Sequence, residues 1–358
     1  MNIQELGEFG LIRHLTQSIE IKNPSTHKGV GDDCAILQGP AGKETLVTTD
    51  LLLEGVHFDL TYAPLKHLGY KSVAVNLSDV YAMGGLPRQI TVSLGISQRF
   101  TVEDIDEFYS GVLLACDKYG VDVVGGDTTS SITGLTISIT CIGEIEEGKA
   151  IRRDGANEGD LICVTGNLGA AYMGLQLLEV EKKVYFQQLD ENHGHETPEM
   201  AEPDFAGKEY LLERQLKPEP RRDIILKLRE LGIQPHSMMD ISDGLSSELM
   251  HICHQSHCGC RIYEDHLPID YQTASQAEEY NMDPTTCALN GGEDYELLFT
   301  VGIDDKEKIE KMDDVHLVGY ITREDDGYVL ITRSGTQIEL QAQGWNPLAG
   351  KETGKEES

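Results

Sequence analysis

Aspartates recur in this sequence beside glycine, serine or threonine, mostly where a short apolar run ends. They are Asp33, Asp50, Asp79, Asp127, Asp240 and Asp243. Mg²⁺ binds carboxylate oxygens in proteins, usually together with water and substrate phosphates. Two such ions can neutralise a phosphoryl group during its transfer. If these carboxylates converge from separate elements on one cleft, the pattern predicts metal-assisted phosphoryl transfer.

Each aspartate, taken singly, also fits a simpler role in a turn or at a helix N-terminus. Asp243 precedes the helical pattern GLSSELMHIC and could be its N-cap. In VVGGDTT, Gly125 and Gly126 would let the backbone approach a phosphate closely, but they also suit an ordinary turn. The residues alone leave both interpretations open.

The composition limits the classes of partner. The chain has 61 acidic and 29 basic side chains, which gives a formal charge of −32. Such a surface repels nucleic acids and anionic membranes, and it would repel a nucleotide unless bound cations reversed the local charge. No apolar run is long enough to span a membrane. The acidic, amphipathic N-terminus is unlike a signal peptide, so we expect a cytoplasmic protein.

Several familiar motifs do not account for these residues. GPAGKET lacks the first glycine and the final Ser/Thr of a P-loop, and no G-x-G-x-x-G follows a predicted strand. No serine lies in a G-x-S-x-G elbow. HICHQSHCGC has the composition of a zinc site, but a helix followed by a strand is predicted there, without a second Cys/His cluster. The eight cysteines are predicted to be reduced.

Helical and strand patterns alternate along the chain, and the first half is rich in strands. We therefore predict an α+β (mixed α/β) fold with partly antiparallel sheets. RRDGANEGD, residues 152–160, is turn-prone and indicates a boundary between a first domain, 1–150, and a second domain, 151–345. A polar surface insertion is expected at about 182–215, and a disordered tail at 346–358.

Six motifs in order resemble thiamine-monophosphate kinase. They are GVGDDCAIL, TTDLLLEGVHFD, VNLSDVYAMGGLP, VVGGDTT, DISDGLSSEL and NGGEDYELLFTV. This family belongs to the superfamily of aminoimidazole ribonucleotide synthetase and selenophosphate synthetase. The resemblance implies ATP-dependent phosphorylation of thiamine monophosphate to thiamine diphosphate, by direct in-line transfer with several Mg²⁺ ions. It also implies a homodimer of two-domain subunits, with the N-terminal sheet domain at the dimer interface and ATP bound nearby.

The resemblance also implies roles for individual residues. Metal ligands would be Asp33, Thr48, Thr49, Asp50, Asp79, Asp127, Asp240 and Asp243, of which Asp50, Asp79 and Asp127 would support catalysis through metal. Nucleotide-binding positions would be Tyr109, Gly126, Asp127, Arg153 and Ser242. Substrate-binding positions would be His57, Glu293 and Trp345. No strong general base is expected, because a phosphate oxygen is already an adequate nucleophile. Without the resemblance, His57 would be interpreted as a structural histidine.

Two other functions are compatible with parts of this pattern. One is another ATP-dependent enzyme of the same superfamily, but the reactive Cys and Lys of selenophosphate synthetases have no counterpart before Gly29. The other is a non-catalytic acidic protein that binds Ca²⁺, although no EF-hand loop is present.

Overall fold

A computed structural model describes residues 10, 12, 14–19, 21–191, 203 and 205–342. Trp345 and the predicted tail, 346–358, lie outside the described residues. The predicted mixed α/β fold is confirmed, with two mainly antiparallel sheets and their helices. None of the described helices combines the length and apolar character required to cross a membrane.

The first sheet has the strand order β1-β2-β3-β6-β4-β5. Its strands are β1 (Thr26–Lys28), β2 (Ala35–Gln38), β3 (Lys43–Leu53), β4 (Leu86–Ile96), β5 (Asp122–Ser130) and β6 (Thr136–Glu146). Only β4 and β5 pair in parallel. Helix α1 (Leu65–Ala82) packs on β3, β4 and β6, and α2 (Val102–Tyr119) packs on α1. The sheet therefore has one face covered by helices, while β5 forms an edge.

The second sheet has the order β13-β12-β9-β11-β7-β10-β8. Its strands are β7 (Leu161–Thr165), β8 (Ser237–Ile241), β9 (Cys258–Tyr263), β10 (Glu296–Val301), β11 (Val315–Arg323), β12 (Tyr328–Ile331) and β13 (Gln337–Glu339). Its helices are α3 (Ala170–Glu191), α4 (Glu209–Leu216), α5 (Arg222–Leu231), α6 (Leu245–Ser256), α7 (Tyr271–Glu279), α8 (Pro284–Asn290) and α9 (Lys306–Ile309). Only β12 and β9 pair in parallel.

The two sheets share part of one hydrophobic core. Leu46 and Val80 of the first half belong to the same buried cluster as Ile225 and Phe299 of the second. Burying apolar surface from both halves fixes their relative position. The cleft between them is thus built on packed helices and strands. The division near residue 150 stays a prediction.

Two local expectations differ from the structure. Asp50 lies inside β3 rather than at the end of a strand, because the strand continues to Leu53. The surface insertion expected at 182–215 is wrong at its carboxyl end, where α4 is packed and Leu211 and Gln215 are buried. One polar side chain of that segment pairs with a buried carboxylate instead of facing solvent. Arg214 forms an ion pair with Glu296 at 2.8 Å.

Candidate active site

Three predicted metal ligands meet between the two sheets. Asp33 comes from the turn before β2, Asp79 from α1 and Asp240 from β8, and each offers a carboxylate oxygen within 4.8 Å of the others. Neighbouring hydroxyls orient two of them. Thr48 Oγ1 donates to Asp79 Oδ2 at 2.5 Å, and Ser78 Oγ donates to Asp240 Oδ2 at 2.5 Å. The carboxylates are thus held close together in a buried position.

This proximity is electrostatically unfavourable for the side chains alone. Burial, followed by the charges of Asp50, Asp240 and Asp33, raises the pKa of Asp79 well above its usual range. Burial and then Asp33 raise the pKa of Asp240 to about 7. Burial raises the pKa of Asp50 to about 6. A hard divalent cation that binds oxygen would relieve this repulsion, so the donor set fits Mg²⁺.

Arg153 supplies one compensating charge. Its guanidinium donates to Asp33 Oδ1 at 2.6 Å and to Asp33 Oδ2 at 3.3 Å. Its backbone N–H contacts Asp32 Oδ1 at 3.3 Å. Arg153, a predicted nucleotide-binding residue, therefore contacts Asp33, a predicted metal ligand at the edge of the aspartate cluster.

A cavity of about 1230 Å³ extends from these carboxylates. Asp50, Asp79 and Asp240 line it, together with aromatic side chains that include Tyr62 and Tyr172. A space of this size, lined by carboxylates and aromatic rings, can hold an elongated, partly cationic organic molecule.

Two of the predicted substrate-binding residues lie in the described part of the chain, His57 and Glu293, and both line this cavity. His57 Nδ1 accepts a hydrogen bond of 3.0 Å from the backbone N–H of Leu53. Burial lowers the pKa of His57, although Glu293 opposes the shift, so the neutral ring is favoured. Glu293 has a positive φ of 67° and pairs with Lys71 at 2.8 Å. The side chains are held by these bonds before any ligand binds.

Ser242 and Asp243 also line the cavity, in the turn between β8 and α6. The N-cap of α6 is Gly244, whose φ is 118°, so the interpretation of Asp243 as the N-cap is wrong. The backbone N–H of Asp243 donates to Glu248 Oε1 at 2.8 Å. This bond fixes the turn that carries both residues.

Within one chain, Asp127 lies apart from the cluster formed by Asp33, Asp79 and Asp240. It lies on the edge strand β5, paired with Ser93 of β4, and β6 and β4 separate β5 from β3. At about 4.8 Å between strands, β5 lies roughly 14 Å from β3. Asp127 lines a second cavity, of about 420 Å³, with Ser93 and Ser138.

Three other predicted positions have different surroundings. Thr49 borders the cavity of about 1230 Å³, but its side chain faces the side of β3 opposite to Thr48 and donates to Ile139 O at 3.1 Å. Tyr109 lies on α2. A Cβ atom on Gly126 would come within 1.8 Å of Val92 O, so packing against β4 requires glycine there. The sequence predicted instead that Gly126 allows the backbone to approach a phosphate.

Sequence reasoning missed Lys71, Gln215, Tyr62 and Lys182, all of which line the large cavity. A signal for Lys71 existed. In α1, Lys71 and Asp79 are the only charged residues after Gly69, and their spacing of eight places both on one helical face. Gln215 and Lys182 gave no comparable signal, because their segment has a polar, surface-like composition.

Comparisons with known proteins agree with this geometry. Residues 31–145 match the family described as AIR synthase related protein, N-terminal domain, and residues 157–332 match its C-terminal domain. Thiamine-monophosphate kinase of Aquifex aeolicus is 37% identical over 300 residues, which cover 84% of this chain and 87% of the relative. The Bacillus subtilis enzyme of that name is 33% identical over 351 residues, which cover 95% of this chain and 99% of the relative.

The solved structure of AaThiL complexed with AMPPCP and TMP superposes with a TM-score of 0.80 at 35% identity, covering 97% of this chain and 98% of that one. Sequence and structure therefore agree over nearly the full length. The chain belongs to the thiamine-monophosphate kinase family of AIR synthase related proteins.

Proposed function

We propose that this protein transfers the γ-phosphoryl group of ATP to the phosphate of thiamine monophosphate, forming thiamine diphosphate. The observation that carries the proposal is the single cavity that joins the buried carboxylates to His57, Glu293 and the aromatic side chains. One part suits phosphates that arrive with metal. The other suits a cationic aromatic molecule.

The carboxylate group would bind Mg²⁺ through Asp33, Asp79 and Asp240, with Asp50 and Thr48 beside them. When bound, Mg²⁺ neutralises phosphate charge during transfer. The side chains of the protein would bind and orient the two substrates. Arg153, held by Asp33, would supply positive charge beside the phosphates, and the cavity-lining turn with Ser242 and Asp243 would face them. No side chain needs to remove a proton, because the attacking oxygen belongs to a phosphate.

The acidic lining of the cavity suits this substrate. The thiazolium ring of thiamine monophosphate carries a positive charge, which Asp59 and Glu179 would attract. Neutral His57 can contact the substrate without adding a repelling charge. Positioning and charge neutralisation would therefore provide most of the rate enhancement.

We also propose that the protein is a homodimer formed through the first sheet. All nine residues of edge strand β5 are exposed, including Val123 and Val124, and Ile132 just after it is exposed as well. An unpaired edge strand with exposed apolar side chains is a surface that proteins normally cover. A partner there would bring its own groups close to Asp127 and Gly126. The interface would then complete a nucleotide site that one chain leaves open.

The test is the formation of thiamine diphosphate from ATP and thiamine monophosphate, measured with Mg²⁺ and with EDTA. Product only with Mg²⁺ would support the proposal. Binding of ATP without product would indicate another reaction of the superfamily. If neither product nor nucleotide binding is observed, the kinase function is refuted, and a non-catalytic cation-binding role would be favoured.

A further inference from the structure

A closed ring of hydrogen bonds lies at the part of the cavity remote from the carboxylates. Lys71 Nζ contacts Glu293 Oε1 at 2.8 Å and donates to the backbone oxygen of Gln215 at 2.9 Å. Gln215 Nε2 donates to Glu293 Oε2 at 2.7 Å. The three side chains come from α1, α4 and the loop before β10. Their mutual bonds fix all three orientations.

The ring determines which way the Gln215 amide points. Reversing the amide would place its oxygen 2.7 Å from a carboxylate oxygen of Glu293, an unfavourable contact of two acceptors. Oε1 must therefore point away from Glu293. Gln215 is only 5% exposed, and within the described part of the chain this oxygen has no hydrogen-bond partner. A buried acceptor without a partner costs about 1–3 kcal/mol, which a ligand donor could recover.

The spacing along α1 relates this ring to the phosphate end of the cavity. Lys71 and Asp79 lie eight residues apart on one helical face, which corresponds to about 12 Å. Thiamine monophosphate has its phosphate at one end and an aminopyrimidine at the other. A substrate with its phosphate at the carboxylates can therefore extend its pyrimidine to Lys71, Gln215 and Glu293.

We infer that Gln215 is a specificity-determining residue that recognises the aminopyrimidine of the substrate. Its Oε1 accepts a hydrogen bond from the exocyclic amino group. Lys71 is a positioning residue that pairs with Glu293 and holds the Gln215 backbone. This inference rests on the proposed function and adds the chemical feature by which the cavity selects its substrate.

The experiment compares thiamine monophosphate with oxythiamine monophosphate, in which an oxo group replaces the exocyclic amino group. The wild-type protein should prefer the amino compound by roughly 10- to 100-fold in kcat/KM, the value of one buried hydrogen bond. Gln215→Met, which keeps the side-chain length without the amide, should reduce this preference to a few-fold. KM for thiamine monophosphate should rise, while KM for ATP stays the same.

Gln276→Met is the matched control. Gln276 is a buried glutamine in α7 that also has an unpartnered amide atom, and it does not line the cavity. Its substitution should leave the substrate preference unchanged. An undiminished preference in Gln215→Met would overturn the inference. So would a wild-type protein that does not distinguish the two compounds, which tests the inference even if the variant fails to fold.

Failure of the proposed function would be visible separately. If the wild-type protein forms no thiamine diphosphate, the kinase proposal fails, and calorimetric binding of the two compounds then tests the recognition. Tighter binding of the amino compound that depends on Gln215 would support the inference. Equal binding of the two compounds would refute it.

Discussion

Asp240→Asn should stabilise the metal-free protein while it impairs catalysis. Asn keeps the shape of the side chain, and its oxygen can still accept the hydrogen bond from Ser78. It removes a charge that the folded state disfavours, since burial and Asp33 raise the Asp240 pKa from 3.8 to about 7. A shift of about three pKa units corresponds to roughly 4 kcal/mol.

The sign of the pH dependence follows from that shift. Below about pH 3 the carboxyl group is protonated in both folded and unfolded states, and the penalty is absent. As the pH rises from about 4 to about 7, the unfolded chain ionises while the folded protein keeps the carboxyl group protonated, so the metal-free wild type loses stability until the loss is complete above about 7. In EDTA at pH 8.5, the variant should therefore have a free energy of unfolding higher by up to about 4 kcal/mol. At about pH 3 the difference should vanish.

Urea unfolding with EDTA or Mg²⁺ measures this effect, and thiamine diphosphate formation measures activity. With Mg²⁺ the wild type should gain more stability than the variant, and the variant's kcat should fall at least about 100-fold. Asp223→Asn is the control, for which the opposite change in stability is expected. Burial raises the pKa of Asp223, but the hydrogen bonds and the charge of Arg221 outweigh burial and lower it. Removing this charge should therefore lower the free energy of unfolding at pH 8.5. The reasoning is refuted if Asp240→Asn is no more stable than the wild type in EDTA at pH 8.5.

Three further predictions follow from single contacts. Gly126→Ala should lower the free energy of unfolding in urea by about 1–3 kcal/mol, because its Cβ meets Val92 O; loss of activity without loss of stability would contradict this. Lys71→Met should raise KM for thiamine monophosphate more than 10-fold with KM for ATP unchanged, since it leaves Glu293 uncompensated; steady-state kinetics decide. Val124→Arg should shift sedimentation from dimer to monomer and reduce activity, whereas Val102→Arg, at an exposed position at the start of α2, should do neither.

Local sequence was sufficient for much of the fold. A run of small and apolar residues like the one around Asp79 is typical of a buried helix, and α1 is such a helix. The predicted helix–strand change near Cys258 also matches α6 and β9. These elements depend on side-chain periodicity and on helix-terminating residues, which act over a few neighbours.

Residue type and turn context also identified Asp33, Asp79 and Asp240 as candidate metal ligands. Their convergence depends on how the first sheet, α1 and β8 pack, and no local pattern encodes that packing. The same tertiary order separates Asp127 from them, because β6 inserts between β3 and β4 and leaves β5 at the edge. Strand order is determined by pairing between residues far apart in sequence.

Lys71 and Gln215 are cavity residues that the sequence did not identify. Their types gave little reason to select them, since one lies in an apolar helix and the other in a polar segment. Only the packed structure brings them to Glu293. The sequence alone determined which chemistry the aspartates can support and which local elements carry them. Tertiary structure decided which side chains share a cavity, because burial and hydrogen bonding there join three distant parts of the chain.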